Sequence, residues 1–102
     1  MFRALFVCTG NICRSPTAEG VFRNLVDARG RSSQIEADSA GIEPWHVGDA
    51  PDPRSQQTAL QHGVNLSLLR ARSVLPHDFE IFDLILAMDR RHHHRLKSDC
   101  PA

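Results

Sequence analysis

Between Phe2 and Gly30 the chain leaves little choice of local structure. Phe2–Val7 is a short apolar run broken only by Arg3, and it reads as a buried strand. Cys8–Ser15 follows as a turn that contains Gly10 and Asn11, the two residue types that most readily take positive φ. Ser15-Pro16 has the form of a helix start, with Ser as N-cap and Pro at the first helical position. Ala18, Val21, Phe22, Leu25 and Val26 then recur at the spacing of a helix with one buried face, and Gly30 supplies a stop. A strand that runs through a tight turn into a helix is the first half of a βαβ unit.

The alternation continues. Ile35–Ser39 reads as a second strand, and Ala40–Pro51 as a long loop that carries the only tryptophan, Trp45. Asp52-Pro53 repeats the cap-then-proline signature, so a helix is predicted to about His62, ending at Gly63. Residues 64–77 read as irregular, with a turn of helix near Leu68. Asp83–Met88 is the third and most apolar strand, Arg90–Lys97 a last helix, and the chain closes on Cys100-Pro101-Ala102. Strands alternating with helices predict an α/β fold, a parallel sheet of about three strands flanked by helices in three layers, with Phe2–Val7 central and Asp83–Met88 beside it. Three strands are few for such a sheet. The expectation is a single domain over residues 1–102 that is C-terminally incomplete, whose exposed Asp83–Met88 edge offers a route to self-association.

Composition closes off other classes. The 102 residues carry 12 Lys plus Arg against 12 Asp plus Glu, so net charge gives no reason to bind nucleic acid or an anionic membrane. No run of about 18 apolar residues exists. MFRALFVCTG lacks the apolar stretch and cleavage site of a signal peptide, so a cytoplasmic location is expected. Cys8, Cys13 and Cys100 are an odd number in a compartment where thiols stay reduced, so they do not form a disulfide scaffold.

The chemistry lies in Val7-Cys8-Thr9-Gly10-Asn11-Ile12-Cys13-Arg14-Ser15. Between a strand and a helix, such a loop gathers backbone N–H groups and a helix N-terminus around one point, a ready anion site. Five residues separate Cys8 from Arg14, enough for Arg14 to fold back and offer a planar fork to two phosphate oxygens. Cys8 lies at the bottom, where amide dipoles, helix and guanidinium all favour a thiolate nucleophile. The inferred reaction is attack of the Cys8 sulfur on a phosphate ester, giving a phosphocysteine that water hydrolyses. The amides of Thr9, Gly10, Asn11, Ile12 and Cys13 bind the phosphate with Arg14, and Ser15 donates to the thiolate. A nucleotide-binding loop is disfavoured, because there is no lysine in the stretch. Cys8 and Cys13, five apart on this loop, either form a reversible disulfide that protects the nucleophile or leave Cys13 packed beneath the loop.

Residues 7–19, V-C-T-G-N-I-C-R-S-P-T-A-E, resemble the active-site loop of the low-molecular-weight protein tyrosine phosphatases. The resemblance continues through Asp38-Ser39-Ala40-Gly41, Trp45-His46-Val47-Gly48, Asp52-Pro53-Arg54, His62-Gly63, Ala71-Arg72, Asp78-Phe79, Phe82-Asp83 and Leu86-Ala87-Met88-Asp89, in order and at family spacing. It implies the family's fold, a phosphotyrosine protein or peptide as substrate, inorganic phosphate as product, and no cofactor. By it, Cys8 is the nucleophile, Arg14 the phosphate clamp and Ser15 the thiolate's partner. Asn11, hydrogen-bonded by Ser39, holds the loop, Trp45 flanks the substrate ring, and Cys13 is the redox partner.

Two departures matter. Where the family often has a histidine that supports the loop asparagine, this chain has Leu69, so Asn11 is expected to lack one partner. Family members also continue through a fourth strand, a general-acid loop and a last helix, so no general acid is assigned in this chain. Asp49, Asp89 and solvent water are the substitutes, with water ranked first. Activity on unactivated esters is therefore expected to be weak. The alternatives are a non-catalytic oxyanion or phosphotyrosine binder, or a thiol-dependent arsenate reductase, which would need resolving cysteines where only Cys100 stands. His92-His93-His94 points three ways on a helix and is read as a solvated face, with no metal site expected.

Overall fold

The computed structural model describes residues 1–100; Pro101 and Ala102, the expected chain end, lie outside the described residues. Three parallel strands, β1 (Phe2–Cys8), β2 (Ile35–Gly41) and β3 (Leu84–Ala87), form a sheet in the order β2-β1-β3. Leu5 therefore lies opposite Asp38 on one side and Ile85 on the other. This is the predicted α/β arrangement with β1 central. The third strand is two residues shorter than predicted: at its start Asp83 donates its N–H to the Arg3 carbonyl but accepts the Arg3 N–H on its side-chain carboxylate rather than its backbone, and at its end Met88 keeps only a single amide bond to the Val7 carbonyl.

Alternation along β1 builds the layers. Leu5 and Val7 point to one face, into a core with Ala40, Phe79, Phe82, Ile85 and Leu96. Phe6 points to the other, edge-on to Phe22 of α1 (Arg14–Ala28), with ring centroids 5.6 Å apart. A second cluster, Ala59, Val64 and Leu66 with Leu69 packed on it, ties α2 (Pro53–Gln61) and the following segment to α1 at Gly20, where any Cβ would collide with Leu66. α3 (Asp78–Ile81) is a single turn that the sequence did not signal, and α4 (Arg90–Asp99) follows β3. Ser67–Leu68 is a plain turn with Leu68 fully in solvent, not the predicted turn of helix.

Two helix starts separate the cap rule's success from its failure. Asp52 caps α2 as predicted, its carboxylate accepting from the Arg54 and Ser55 amides. Ser15 does not cap α1. The helix begins at Arg14 behind Cys13, with no side-chain cap, and Ser15 is fully buried instead. The predicted apolar face of α1 is also wrong in part: Val21 and Leu25 are half exposed, while Ser15, Pro16, Glu19, Gly20 and Val26 face inward. The inner face is polar because it serves the loop that precedes the helix. No strand pairs with the outer edge of β3 among the described residues, and Leu84 and Leu86 there are partly exposed. Among the described residues no helix is long and apolar enough to cross a membrane.

Candidate active site

The loop between β1 and α1 is fixed from outside by its carbonyls. The Cys8 oxygen accepts from the Ile42 amide at 2.9 Å, the Thr9 oxygen from the Glu43 amide at 2.9 Å, and the Ile12 oxygen from the Asp52 amide at 2.7 Å. Among the described residues the backbone N–H groups of residues 9–13 donate to no backbone carbonyl, so they stay available to an anion. Gly41 at the end of β2 makes the seat. A Cβ there would lie 2.8 Å from the Thr9 oxygen and 3.1 Å from the Asn11 nitrogen, so only glycine lets the loop backbone rest on the strand. Asn11 takes φ 60°, the left-handed region that asparagine tolerates better than most residues.

A buried hydrogen-bond chain runs through this loop to the sulfur. Cys8 Sγ lies 3.0 Å from Ser15 Oγ. Asn11 Nδ2 donates to Ser15 Oγ at 2.8 Å and to Ser39 Oγ at 2.9 Å. The Ser39 hydroxyl donates to Glu19 Oε1 at 2.7 Å. Glu19, almost wholly buried, can only accept when ionised, which sets the Ser39 end of the chain, and the Asn11 amide nitrogen can only donate, which sets the Ser15 end. Ser39 spends its hydrogen on Glu19 and accepts from Asn11, and Ser15 accepts from Asn11. The Ser15 hydrogen is therefore free for the Cys8 sulfur.

Burial, partly offset by Ser39 and Arg23, raises the Glu19 carboxyl above its ordinary range. Glu19 Oε2 lies 2.7 Å from Arg23 Nη2, yet without hydrogen-bond alignment, since Arg23 aligns that group on the Ala37 carbonyl. The aligned Ser39 bond therefore holds the carboxylate more firmly than this half-exposed, unaligned ion pair.

Asn11 has the third partner that the sequence led us not to expect. Its Oδ1 accepts from the Arg72 backbone amide at 3.0 Å. Arg72 is held by Asp38 at 3.1 Å and by buried Asp78 at 2.9 Å. Leu69, at the position of the missing histidine, packs on the second core cluster instead.

The predicted residues converge unequally. Cys8, Asn11, Ser15 and Ser39 are buried in one network. Cys8, Thr9, Gly10, Ile12, Cys13 and Arg14 line a cleft of about 290 Å³, with Trp45 and His46 as its outer wall. Cys13 is exposed, so it does not pack beneath the loop. The Arg14 side chain, half exposed, points to Asp89, with Nη1 3.4 Å from Oδ2. Asp89 is held below the usual carboxylate range, chiefly by the His92 backbone N–H and also by Arg14, which makes it a poor proton donor. Asp49 is paired with His46 at 3.3 Å and is largely in solvent.

Four contributors went unread in the sequence: Glu19, Arg72, Gly41 and His92. His92 is buried and bonds Thr9, while His93 and His94 are exposed, so the histidine run is not uniformly a solvated face. The detectable signal for Glu19 was its place one helical turn after Ser15. Among the described residues, no three His, Cys, Asp or Glu side chains converge as a metal ion would require.

Comparison with known proteins agrees with this geometry. Residues 3–101 match the family model described as low molecular weight phosphotyrosine protein phosphatase. The chain is 44% identical over 98 residues to the low molecular weight protein-tyrosine-phosphatase YfkJ of Bacillus subtilis, covering 96% of this chain and 63% of that protein. It is 47% identical over 85 residues to the human low molecular weight phosphotyrosine protein phosphatase, covering 83% of this chain and 53% of that one. Among solved structures, the protein tyrosine phosphatase of Entamoeba histolytica with Hepes in its active site superposes with a TM-score of 0.96 at 36% identity, covering 99% of this chain and 64% of that one. A Drosophila arginine phosphatase superposes with a TM-score of 0.89 at 40% identity, covering 93% and 59%. The chain thus spans less than two thirds of the length of these relatives. Loop, supporting network and near-complete coverage of this chain lead to one conclusion: it belongs to the low molecular weight phosphotyrosine protein phosphatase family.

Proposed function

We propose that the chain carries the nucleophile half of a phosphotyrosine phosphatase reaction. The observation that carries this reading is the 3.0 Å contact of Cys8 with Ser15, whose hydrogen is left for the sulfur because Asn11, oriented by the Arg72 amide, donates to the Ser15 oxygen. A hydroxyl donating to sulfur stabilises the thiolate and keeps it available as a nucleophile. The sulfur attacks phosphorus, an S–P bond forms, and the ester P–O bond breaks. The phenolate departs and takes its proton from water. A second water attacks the phosphocysteine, the S–P bond breaks, and inorganic phosphate leaves as Ser15 stabilises the returning thiolate.

Arg14 swings from Asp89 to pair two equatorial oxygens while the loop amides take the remaining charge. The exposed indole of Trp45 at the cleft favours a flat aromatic ester. Cys13, on the same cleft, is the redox partner of the nucleophile.

The test is turnover of an aryl phosphate, a phosphotyrosine peptide and phosphoarginine by the chain, with Cys8→Ser and Arg14→Lys beside it. Aryl phosphate turnover abolished by Cys8→Ser, and oxyanion affinity reduced at least tenfold by Arg14→Lys because lysine has no bidentate fork, support the reading. Tight phosphotyrosine binding without turnover would make the chain a binder. Preference for phosphoarginine would place it with the Drosophila relative's activity.

A further inference from the structure

Both ends of the oxyanion loop are tied to the first turn of α4. At one end, Thr9 Oγ1 lies 2.7 Å from His92 Nε2, and His92 is 4% exposed. At the other, Arg14 reaches Asp89, the residue that caps α4 by accepting from the His92 amide at 3.0 Å. The register of β3 on β1, Ala87 beside Val7, delivers α4 to this place. His92 Nδ1 is buried, 3.3 Å from Asp89 Oδ1, without a hydrogen bond.

We propose that His92 is a positioning residue for the oxyanion loop: as a neutral imidazole protonated on Nδ1, it accepts the Thr9 hydroxyl at Nε2 and fixes the residue next to the nucleophile. The proposal rests on the reading of this loop as an oxyanion site. The tautomer follows from the charges. A bare Nδ1 lone pair would face the Asp89 carboxylate at 3.3 Å, whereas Nδ1–H faces it favourably even off-line. Nε2 is then an acceptor, so Thr9 must be the donor. The Thr9 carbonyl is held by the Glu43 amide, and the residue is anchored on both sides.

The charge state follows from all the groups that face the ring. Burial disfavours the cation, Asp89 favours it, and Arg14 of α1 and Arg91 of α4 oppose it, leaving His92 below the ordinary histidine range. Glu43 and Arg95, in the adjoining cleft, pair with each other at 3.1 Å. On protonation both ring nitrogens become donors. The Thr9 hydrogen turns away and Nε2–H donates to Thr9 Oγ1 instead, so the contact persists with its direction reversed, while the new cation competes with Arg14 for Asp89 and frees Arg14 for the anion.

The test uses sulfate, which does not titrate between pH 5 and 8, binding to the chain in a Cys8→Ser background, so that the thiol does not titrate either. It is paired with nitrogen-detected NMR of the histidine rings in the unsubstituted chain, His92 being assigned by its loss in His92→Gln. The expected result is a neutral Nδ1–H tautomer for His92 at pH 7.5. His92→Gln and Thr9→Val should each weaken sulfate binding about 3- to 10-fold, the scale of one hydrogen bond, and the double variant should be no worse than either. Sulfate affinity should rise on acidification below pH 6 in the parent and not in His92→Gln. An Nε2–H tautomer overturns the proposal even if the variants fail to fold. So do additive losses or a pH profile that survives His92→Gln. Aryl phosphate turnover that depends on Cys8 would still uphold the phosphatase reading in those cases; a parent that binds no sulfate would remove the oxyanion reading and this proposal together.

Discussion

Ser39→Ala tests the hydrogen-bond chain at its centre. The hydroxyl donates to Glu19 at 2.7 Å and accepts from Asn11 at 2.9 Å, and all three residues are at most 5% exposed. Losing two hydrogen bonds costs about 1 kcal/mol each, and leaving a buried carboxylate oxygen without its donor adds about 1–3 kcal/mol. A total of about 3–5 kcal/mol is a large share of the roughly 5–15 kcal/mol that holds a domain folded, and corresponds to a Tm fall of about 14–23 °C in a chain of this size.

The loss should depend on pH with a definite sign. Burial raises the folded-state value of Glu19 and the Ser39 bond lowers it. A raised carboxyl contributes stability that is full below its unfolded value, near 4.5, and lost as pH climbs through the folded value. Removing Ser39 raises the folded value further, so the penalty should be larger at pH 7.5 than at pH 4.5. Urea unfolding at both pH values, with Glu19→Gln and the double variant, measures it. Glu19→Gln should flatten the pH difference and couple to Ser39→Ala by at least about 0.5 kcal/mol. A Ser39→Ala penalty under 0.5 kcal/mol, or one identical at the two pH values, would refute the reasoning.

Gly41→Ala should leave the chain folded but displace the loop from its seat on β2, so sulfate affinity should fall at least tenfold; unchanged affinity would show that the backbone of Thr9–Asn11 yields cheaply. Mild peroxide should oxidise Cys8 to a sulfenic acid that Cys13, exposed on the same cleft, converts to a disulfide with release of water, and a thiol should restore activity; mass mapping that finds Cys13 free in inactivated protein excludes this. Because Asp89 is held ionised, the 102-residue chain should hydrolyse aryl phosphates at rates that fall steeply with leaving-group pKa, a general acid being worth about 10²- to 10⁴-fold; a flat profile would mean that another acid supplies the proton.

What could be read from residues alone divides along a physical line. Strand order and the Asp52 cap were legible because local pattern decides them: β1 is apolar on both faces, and the Asp52 carboxylate has adjacent amides as its natural partners. Ser15 carries the same cap signature, yet its hydroxyl has stronger claimants in Cys8 and Asn11, which no local rule sees. The apolar pattern of α1 misled for the same reason. Its inward face is set by what the loop needs, a serine and a glutamate, so Val21 and Leu25 turn half outward although they fit the periodicity.

The three histidines of α4 are alike in sequence and differ only by about 100° of rotation each. The Asp89 cap and the register of β3 on β1 choose His92 to meet Thr9, from 83 residues away. A motif spacing can mark Cys8 and Arg14 because they bound one short loop, Cys8 ending β1 and Arg14 starting α1. The groups that orient them, Glu19, Ser39, Arg72 and His92, come from four other elements and segments, and their partnership exists only once the sheet has assembled. Substitutions at those four positions should therefore act on the loop through its geometry, and their effects should be non-additive with changes at Asn11 and Thr9, the loop residues that Ser39, Arg72 and His92 bond directly and that Glu19 reaches through Ser39.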